Sequence, residues 1–582
     1  MPPLSRFIPF ASSTTGLQAV TYLLGVALFC ISFLVFLNSS VSFVITDLIG
    51  QKQGVGDVVG TLGFADELVA LVACPAWGLV SDRLGVRWVS AIGYAIISIS
   101  LALFVQARNV YPQLVLARMF FAVGASATAT MVTAMLPSLT DESDDTERDR
   151  SPRRKTQRIS RQSIAFSVES ELTITPERYS QTVSSGSSRD SRSNQDDAVD
   201  SPHKTSALAG YVGVATGCGA LVALTVFLPL PTWFGNIDKV TPAEAVSYSF
   251  YVVGAIALAV AVFVFFGLRN LKGEEGKGWA LLLGLRRKVT VNGRFDVNGD
   301  DGSQREKAVP FLHLLKYSVI LGITDSRITL GYIGGFVARA SSVAISLFIP
   351  LFINTYFISH GFCQGSPNDP SPELKEECRA AYVLSSILTG VAQLVALICA
   401  PMFGYLSHRP GRVNWPIIVS TVSGIVGYII LPQLSSPEIK DVDGRGGTPA
   451  IFLVVAMIGV SQIGSIVCSL GSLGQGVLAV DLPRRPHREP SIAPDEHESV
   501  EDEPLIRLTM QEDSVARTRL KGSIAGVYSL CGGAAILLLT KLGGYLFDKL
   551  STGAPFYMMA MFNGILLVVS LLLDASHTFG RT

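Results

Sequence analysis

Pro75-Ala76-Trp77-Gly78-Leu79-Val80-Ser81-Asp82-Arg83-Leu84-Gly85-Val86-Arg87 has an echo far downstream, Pro401-Met402-Phe403-Gly404-Tyr405-Leu406-Ser407-His408-Arg409-Pro410-Gly411-Arg412. Pro, an aromatic residue, Gly, Ser, Arg and Gly recur at a constant offset of 326 residues. Each copy closes a long apolar run with a short basic turn. A weaker echo pairs Phe36-Leu37-Asn38-Ser39 with Phe352-Ile353-Asn354-Thr355, ten residues out of that register, which a longer loop in one copy accounts for. The chain therefore reads as a duplication of one membrane-spanning half, an architecture common among proteins that carry solutes across bilayers.

Composition supports a membrane setting. Only 16% of residues are charged, against about 25% in an average soluble protein, and the mean hydropathy is +0.42. The apolar runs reach lengths of about 20 residues, enough to cross a hydrocarbon core at 1.5 Å per residue. The first run is too long for a signal-peptide core, so it reads as an uncleaved helix. The net charge of zero carries no information about partners, because spans and loops contribute so unequally.

Helices are expected at about 20–46, 57–80, 88–106, 111–137, 206–230 and 246–268, then at 328–356, 380–405, 415–432, 449–480, 521–547 and 554–574. This predicts an all-α polytopic protein of twelve spans in two six-helix halves, with bundles over 1–268 and 328–582 and a central loop over 269–327. Lys and Arg bias sets the orientation. Arg83, Arg87, Arg409, Arg412 and the Arg286-Arg287-Lys288 cluster all fall on one side, taken as cytoplasmic, with both termini there. Cys363 and Cys378 flank a loop on the opposite side. A disulfide between them would close about 15 residues, worth roughly 3 kcal/mol in the chain-entropy model, and requires an oxidising compartment. Two unpaired thiols are the alternative. The other six cysteines lie in apolar runs, where Cys behaves as a small hydrophobe.

Polar inserts at 138–205 and 481–520 occupy equivalent places in the two halves. The first is rich in Ser, Arg and Asp and reads as disordered, since it has too little apolar surface to offset the entropy of ordering. Within it, Arg153-Arg154-Lys155 precede Ser160 and Ser163, a pattern a basophilic kinase can use; a solvated tail is the alternative. In the second, Glu501-Asp502-Glu503-Pro504-Leu505-Ile506 resembles an acidic dileucine signal read by sorting adaptors. Glu501, Leu505 and Ile506 thus point to a vacuolar or lysosomal membrane, with the plasma membrane as alternative.

Gly78-x-x-x-Asp82-Arg83-x-Gly85-x-Arg87 resembles the signature turn between helices 2 and 3 of the major facilitator superfamily. The resemblance covers the membrane part and none of the inserts. Val86 stands where the family often has a second basic residue, and Gly543-Gly544-Tyr545-Leu546-Phe547-Asp548-Lys549 also looks like this family's helix 11 end. The physical reading is direct. Gly78 lets another helix approach, Arg83 and Arg87 hold the turn at an anionic surface, and Asp82 can face a helix N-terminus. The resemblance implies that this helix is the eleventh, starting near Lys521-Gly522-Ser523, and that the contact breaks and reforms during transport. A plain topology anchor is the alternative. In the echo, Gly404, His408, Arg409, Gly411 and Arg412 take the equivalent places. His408 replaces the acid, so the mirror contact with helix 5 is expected to be weak or pH-sensitive, unless it is simply a surface His.

Charges inside helices are the other informative residues, because burying each costs about 2.5–3.5 kcal/mol on insertion scales. Asp66 and Glu67 lie in helix 2, Arg118 in helix 4 and Arg339 in helix 7. Asp66 and Arg118 sit at similar depths and could pair. Successive helix positions point about 100° apart, so Asp66 and Glu67 cannot share one partner squarely. At the 326-residue offset Glu67 matches Gln393. A carboxyl in a partly dry cavity can load and release a proton, so Asp66 or Glu67 is the candidate coupling residue with Arg118 tuning it; an ion pair that only joins helices is the alternative. Arg118 resembles the family's helix-4 arginine, although Ala122 replaces the expected glycine. Arg339 could hold an anionic substrate group or a backbone carbonyl, while Asn38 and Asn354 could line a cavity.

The resulting expectation is a monomeric secondary transporter of a small solute, proton-coupled and working by alternating access. A non-transporting sensor on the same fold is the alternative. No Gly-x-x-x-x-Gly-Lys-Ser/Thr loop is present, no nucleic-acid partner is indicated, and no cofactor is expected. No Cys/His spacing fits a metal site and no enzyme active site can be assembled; His487 and His497 lie in a polar run.

Overall fold

In the computed structural model of the protein, the described residues are 9–51, 55–141, 190–237, 240–274, 277–283, 311–359, 379–407, 414–439, 446–478 and 520–579. Twelve helices among them are long and apolar enough to cross a membrane. They are α1 (Gly16–Leu48), α2 (Val58–Leu84), α3 (Val86–Phe104), α4 (Val110–Thr140), α5 (Lys204–Gly235) and α6 (Ala243–Gly267), then α7 (Ser326–Ser359), α8 (Val383–Ser407), α9 (Trp415–Gln433), α10 (Ala450–Leu478), α11 (Lys521–Lys549) and α12 (Ala554–Ser576). Leu453, Ile398 and Leu572 expose about two thirds of their surface (67%, 66% and 64%). Outward-facing apolar side chains of this kind suit contact with lipid.

Within each half, small residues set the spacing. A Cβ on Gly93 of α3 would stand 2.9 Å from the Ala127 methyl of α4, so only the bare backbone permits this approach. Buried Tyr22 donates to the Val132 carbonyl at 2.7 Å and Tyr94 to that of Val26 at 2.9 Å. In the second half the Ser341 and Tyr428 hydroxyls lie 2.6 Å apart. Such bonds satisfy phenols that hydrocarbon would otherwise leave unpaired.

The halves meet at the ends that carry the basic turn. There α2 packs on α11, while α5 packs on α8 and α10. A Cβ on Gly210 of α5 would lie 2.9 Å from the Gly404 Cα of α8, and Gln475 of α10 donates to the Ser206 hydroxyl of α5 at 2.8 Å. Toward the opposite ends the halves part. A Cβ on Gly60 or Gly63 of α2 would meet nothing within 4 Å, whereas one on Gly533 of α11 would still meet Leu71 at 3.7 Å. The opening therefore faces away from the side that carries the basic turn.

Two features depart from the sequence reading. The helix that becomes α5 already begins at Asp190, inside the segment read as disordered, because an apolar helix once nucleated extends at low cost into its polar flank. The central connection contains a helix at Phe311–Thr324. Its apolar residues rest against α7, where Tyr332 donates to the Ser318 carbonyl at 3.2 Å. Arg87, partly exposed at the turn, also ties it to α6: its Nε donates to the Phe265 carbonyl at 2.6 Å, with the guanidinium 4.0 Å from the Phe265 ring.

Candidate functional site

The chemistry concentrates at two levels of the interface between the halves. The first is the basic turn. Gly85 ends α2 at φ 98°, a left-handed conformation that favours glycine, so the chain reverses sharply into α3. Asp82 then points across the interface. Its carboxylate accepts from the backbone N–H of Gly522 at 2.7 Å and of Ser523 at 2.8 Å, and from the Ser523 hydroxyl. These are orphan donors at the first turn of α11, where the helix dipole also favours an anion. Gly78 and Gly526 make the contact close enough: a Cβ on Gly78 would lie 3.0 Å from the Gly526 Cα.

Residues that the sequence reading missed complete this level. Glu274, in the stub after α6, accepts from the Val86 N–H at 2.8 Å, so it caps α3. The same carboxylate pairs with Lys277 at 3.1 Å and with buried Lys521 of α11 at 2.5 Å. Lys521 also donates to the Ser138 hydroxyl of α4 at 2.5 Å. Burial pushes the Glu274 carboxyl up, but the attraction of Lys521 and Lys277 with the hydrogen bonds it accepts outweighs that, and it ends below its ordinary value. The Gly278 N–H donates to the Arg83 carbonyl at 3.0 Å, and the Arg83 guanidinium lies 3.5 Å from the Phe311 ring centroid. An acid in a connecting loop and a Lys at a span end carry no pattern that marks them in sequence.

The second level lies deeper in the membrane. Asp66 of α2 and Arg118 of α4 form an ion pair within the first half, with 14% and 4% of their side-chain surfaces exposed. Arg118 also donates from Nη2 to the Asn38 amide oxygen of α1 at 2.5 Å. Arg118 Nε and Nη1 and Asp66 Oδ1 are buried without a hydrogen-bond partner among the described residues. Unpaired polar atoms at this depth mark a site suited to water or a ligand rather than a closed core.

Glu67 is turned away from that pair, as the 100° step along a helix requires. It belongs to the stripe Glu67, Leu71, Gly78 and Asp82 along which α2 faces α11. Arg339 of α7 crosses α11 where Gly532 leaves room, since a Cβ there would stand 2.7 Å from the Arg339 Cγ. One turn outward from Glu67, the ammonium of Lys541 lies 4.1 Å from the Phe64 ring centroid, joining α11 to α2 by a cation–π contact. Lys541 went unremarked in the sequence although it interrupts an apolar run.

Asn38 thus joins the Asp66–Arg118 pair, whereas Asn354 is half-buried in α7 and Gln393 is exposed on α8, and neither contacts that pair. His408, Arg409, Gly411, Arg412, Cys363, Cys378, Glu501, Leu505, Ile506, Ser160 and Ser163 lie outside the described residues. No group of three or more metal-ligating side chains occurs among the described residues.

The family model described as Major Facilitator Superfamily matches residues 28–149 and 197–482. No curated protein sequence matches the chain. Among solved structures, the proton:xylose symporter XylE bound to 6-bromo-6-deoxy-D-glucose is similar at 11% identity and a TM-score of 0.50, over 95% of this chain and 94% of that one. The human organic anion transporter MFSD10 (TETRAN) gives 13% identity and a TM-score of 0.49 over 98% and 100% of the two chains. The E. coli fucose:proton symporter FucP gives 11% and 0.48 over 95% and 98%. At such identities the likeness concerns the fold alone.

Proposed function

Because the chain belongs to the Major Facilitator Superfamily, a family of transporters, we propose that it is a secondary active transporter of a small solute, driven by protons and working by alternating access. The observation that carries this reading is the pairing of a sealed end with an open one. Asp82 and Glu274 join the halves on the cytoplasmic side, while ionisable side chains stand in the membrane below the opening. Opening the other way requires Asp82 to leave Gly522 and Ser523, and Lys521 to leave Glu274. Both contacts are hydrogen bonds between charged or terminal groups that water can replace, which suits a seal that forms and breaks.

In this reading Asp66 or Glu67 carries the proton and Arg118 sets how readily Asp66 does so. Protonation changes the charge the site carries, and unbalanced charge within the bilayer is costly, so proton and solute together set which forms of the carrier cross. The test is pH-driven solute flux into vesicles containing the wild type, Asp66→Asn or Glu67→Gln. One variant is expected to keep solute exchange and lose its proton dependence; if both retain that dependence, the coupling assignment is wrong. For the target membrane we favour the vacuole or lysosome through Glu501, Leu505 and Ile506. A fluorescent fusion carrying Leu505→Ala and Ile506→Ala should then move to the plasma membrane.

A further inference from the structure

We propose that the Phe311–Thr324 helix is an in-plane membrane anchor, laid in the headgroup layer on the side of the basic turn, where Lys316 binds anionic lipid. Both ends of this helix are pinned level with the ends of spans. At its start the Phe311 ring centroid lies 3.5 Å from the guanidinium of Arg83, in the last turn of α2. At its end Asp325 turns the chain into α7, accepting from the N–H groups of Arg327 at 2.9 Å and Ile328 at 3.2 Å. α2 finishes and α7 begins on the same side of the membrane. The 14 residues between these two points, about 21 Å of helix, therefore run along the surface rather than away from it.

Helical spacing divides its side chains into three stripes. Leu314, Ser318 and Gly322 are buried, and the last two are held to α7: the Ser318 carbonyl accepts from Tyr332 and the Gly322 carbonyl accepts from the Thr329 hydroxyl at 2.7 Å. Lys316, Val319, Ile320 and Ile323 share one flank, at i, i+3, i+4 and i+7. All four are exposed, Ile323 to 77%. His313, Tyr317 and Thr324 form the third stripe, exposed and polar. An apolar stripe set between a packed one and a polar one is the pattern of a helix lying in a membrane interface. Lys316 fits that setting, because its stem can cover apolar surface while its ammonium reaches the headgroups. No Asp or Glu occurs over 311–324, and exposed Arg327 adds a second cation just beyond. Such a charge pattern favours an anionic leaflet.

The stub after α6 supports the membrane as the occupant. The Gly278 N–H donates to the Arg83 carbonyl at 3.0 Å, and just beyond it Trp279, Leu281 and Leu283 are exposed. Trp279 meets Trp88, in the first turn of α3, edge to face with ring centroids 5.8 Å apart. Trp is enriched at the boundary between hydrocarbon and water. Bulky apolar side chains thus flank Arg83 on both described sides of the tether, at the depth where the spans end. Exposed apolar surface of this kind calls for a cover, and the surface present at that depth all round the protein is the leaflet itself. Through Phe311, the anchored helix holds the Arg83 guanidinium at that surface.

The test uses the full chain, purified and placed in vesicles of phosphatidylcholine mixed with phosphatidylserine. The photoreactive residue p-benzoylphenylalanine replaces Ile323, Val319 or, on the polar stripe, Tyr317, and the products of illumination are identified by mass spectrometry. Lipid adducts are expected at Ile323 and Val319 and few at Tyr317. All three positions are exposed, so the replacements should leave the packed stripe intact, and either apolar position decides the matter alone. Adding Lys316→Gln to the Ile323 probe should lower the phosphatidylserine share of the adducts about fivefold while phosphatidylcholine adducts persist. An unchanged share would overturn the role of Lys316. Absence of lipid adducts at both Ile323 and Val319, or as many at Tyr317, would overturn the anchor. Adducts to a second copy of the chain in place of lipid would make this flank an interface between copies and overturn it too.

Discussion

Gly78 shows how much a missing side chain can decide. Its α-carbon lies against the first turns of α11, and any Cβ there would run into the Gly522 carbonyl and approach the Gly526 Cα to 3.0 Å. Neither neighbour is a flexible side-chain tip, so the helices themselves would have to move. Gly78→Leu is therefore expected to push α2 from α11, with overpacking of about 1–3 kcal/mol, and to lower the melting temperature of the detergent-purified protein by several degrees. An unchanged melting temperature with full flux would mean that the contact is slack. Arg118 gives a complementary lesson. Its similar depth to Asp66 could be read by counting residues, because rise per residue is fixed, whereas its bond to Asn38 depends on how α1 is rotated against α4, which no single sequence displays.

Among elements, the stub that follows α6 carries the least expected duty. Apolar runs announced every span, and the twelve helices lie within a few residues of their sequence-based bounds at most ends. Glu274 escaped because two of its three partners, Val86 and Lys521, come from distant parts of the chain, and only tertiary packing makes it more than a solvated loop acid paired with nearby Lys277. Its carboxyl titrates below its ordinary value of 4.5. The sign follows: a depressed folded pKa gives a contribution fully present above the unfolded value and lost as pH falls through the folded one. Between wild type and Glu274→Gln, a melting-temperature gap is expected at pH 7, shrinking only below about pH 4.5. A gap that instead closes between pH 6 and 8 would place the relevant titration elsewhere. Lys521→Met, which leaves the same carboxylate buried without its closest cation, should destabilise more than Glu274→Gln.

At the scale of the whole molecule, the duplication was legible from the repeated turn alone, and it brings two equivalent helix pairs, α2 with α11 and α5 with α8, to the interface. The charges were legible as buried costs, but their division between the halves was not. One position along α2 turns Asp66 inward to Arg118 and Glu67 outward to the second half, and which way each turns depends on neighbours hundreds of residues away. If the halves rock about this interface, a covalent tie across it must stop transport. Ser206→Cys with Gln475→Cys replaces a 2.8 Å hydrogen bond between α5 and α10. Oxidation is expected to arrest flux and a reductant to restore it, measured on one vesicle preparation before and after treatment. Undiminished flux in the crosslinked form would rule out movement at this contact.

The position of Glu274 has one more implication. The peptide that tethers the two bundles begins with a few residues already moored to the basic turn through the Arg83 carbonyl and to α11 through Lys521. Its farther part returns as the Phe311–Thr324 helix, with the Phe311 ring against the Arg83 guanidinium. The tether therefore touches the gate at both its ends. Any partner that grips the intervening stretch would pull on the closure itself, so that a leash joining the halves would also serve as a handle for setting how often they part.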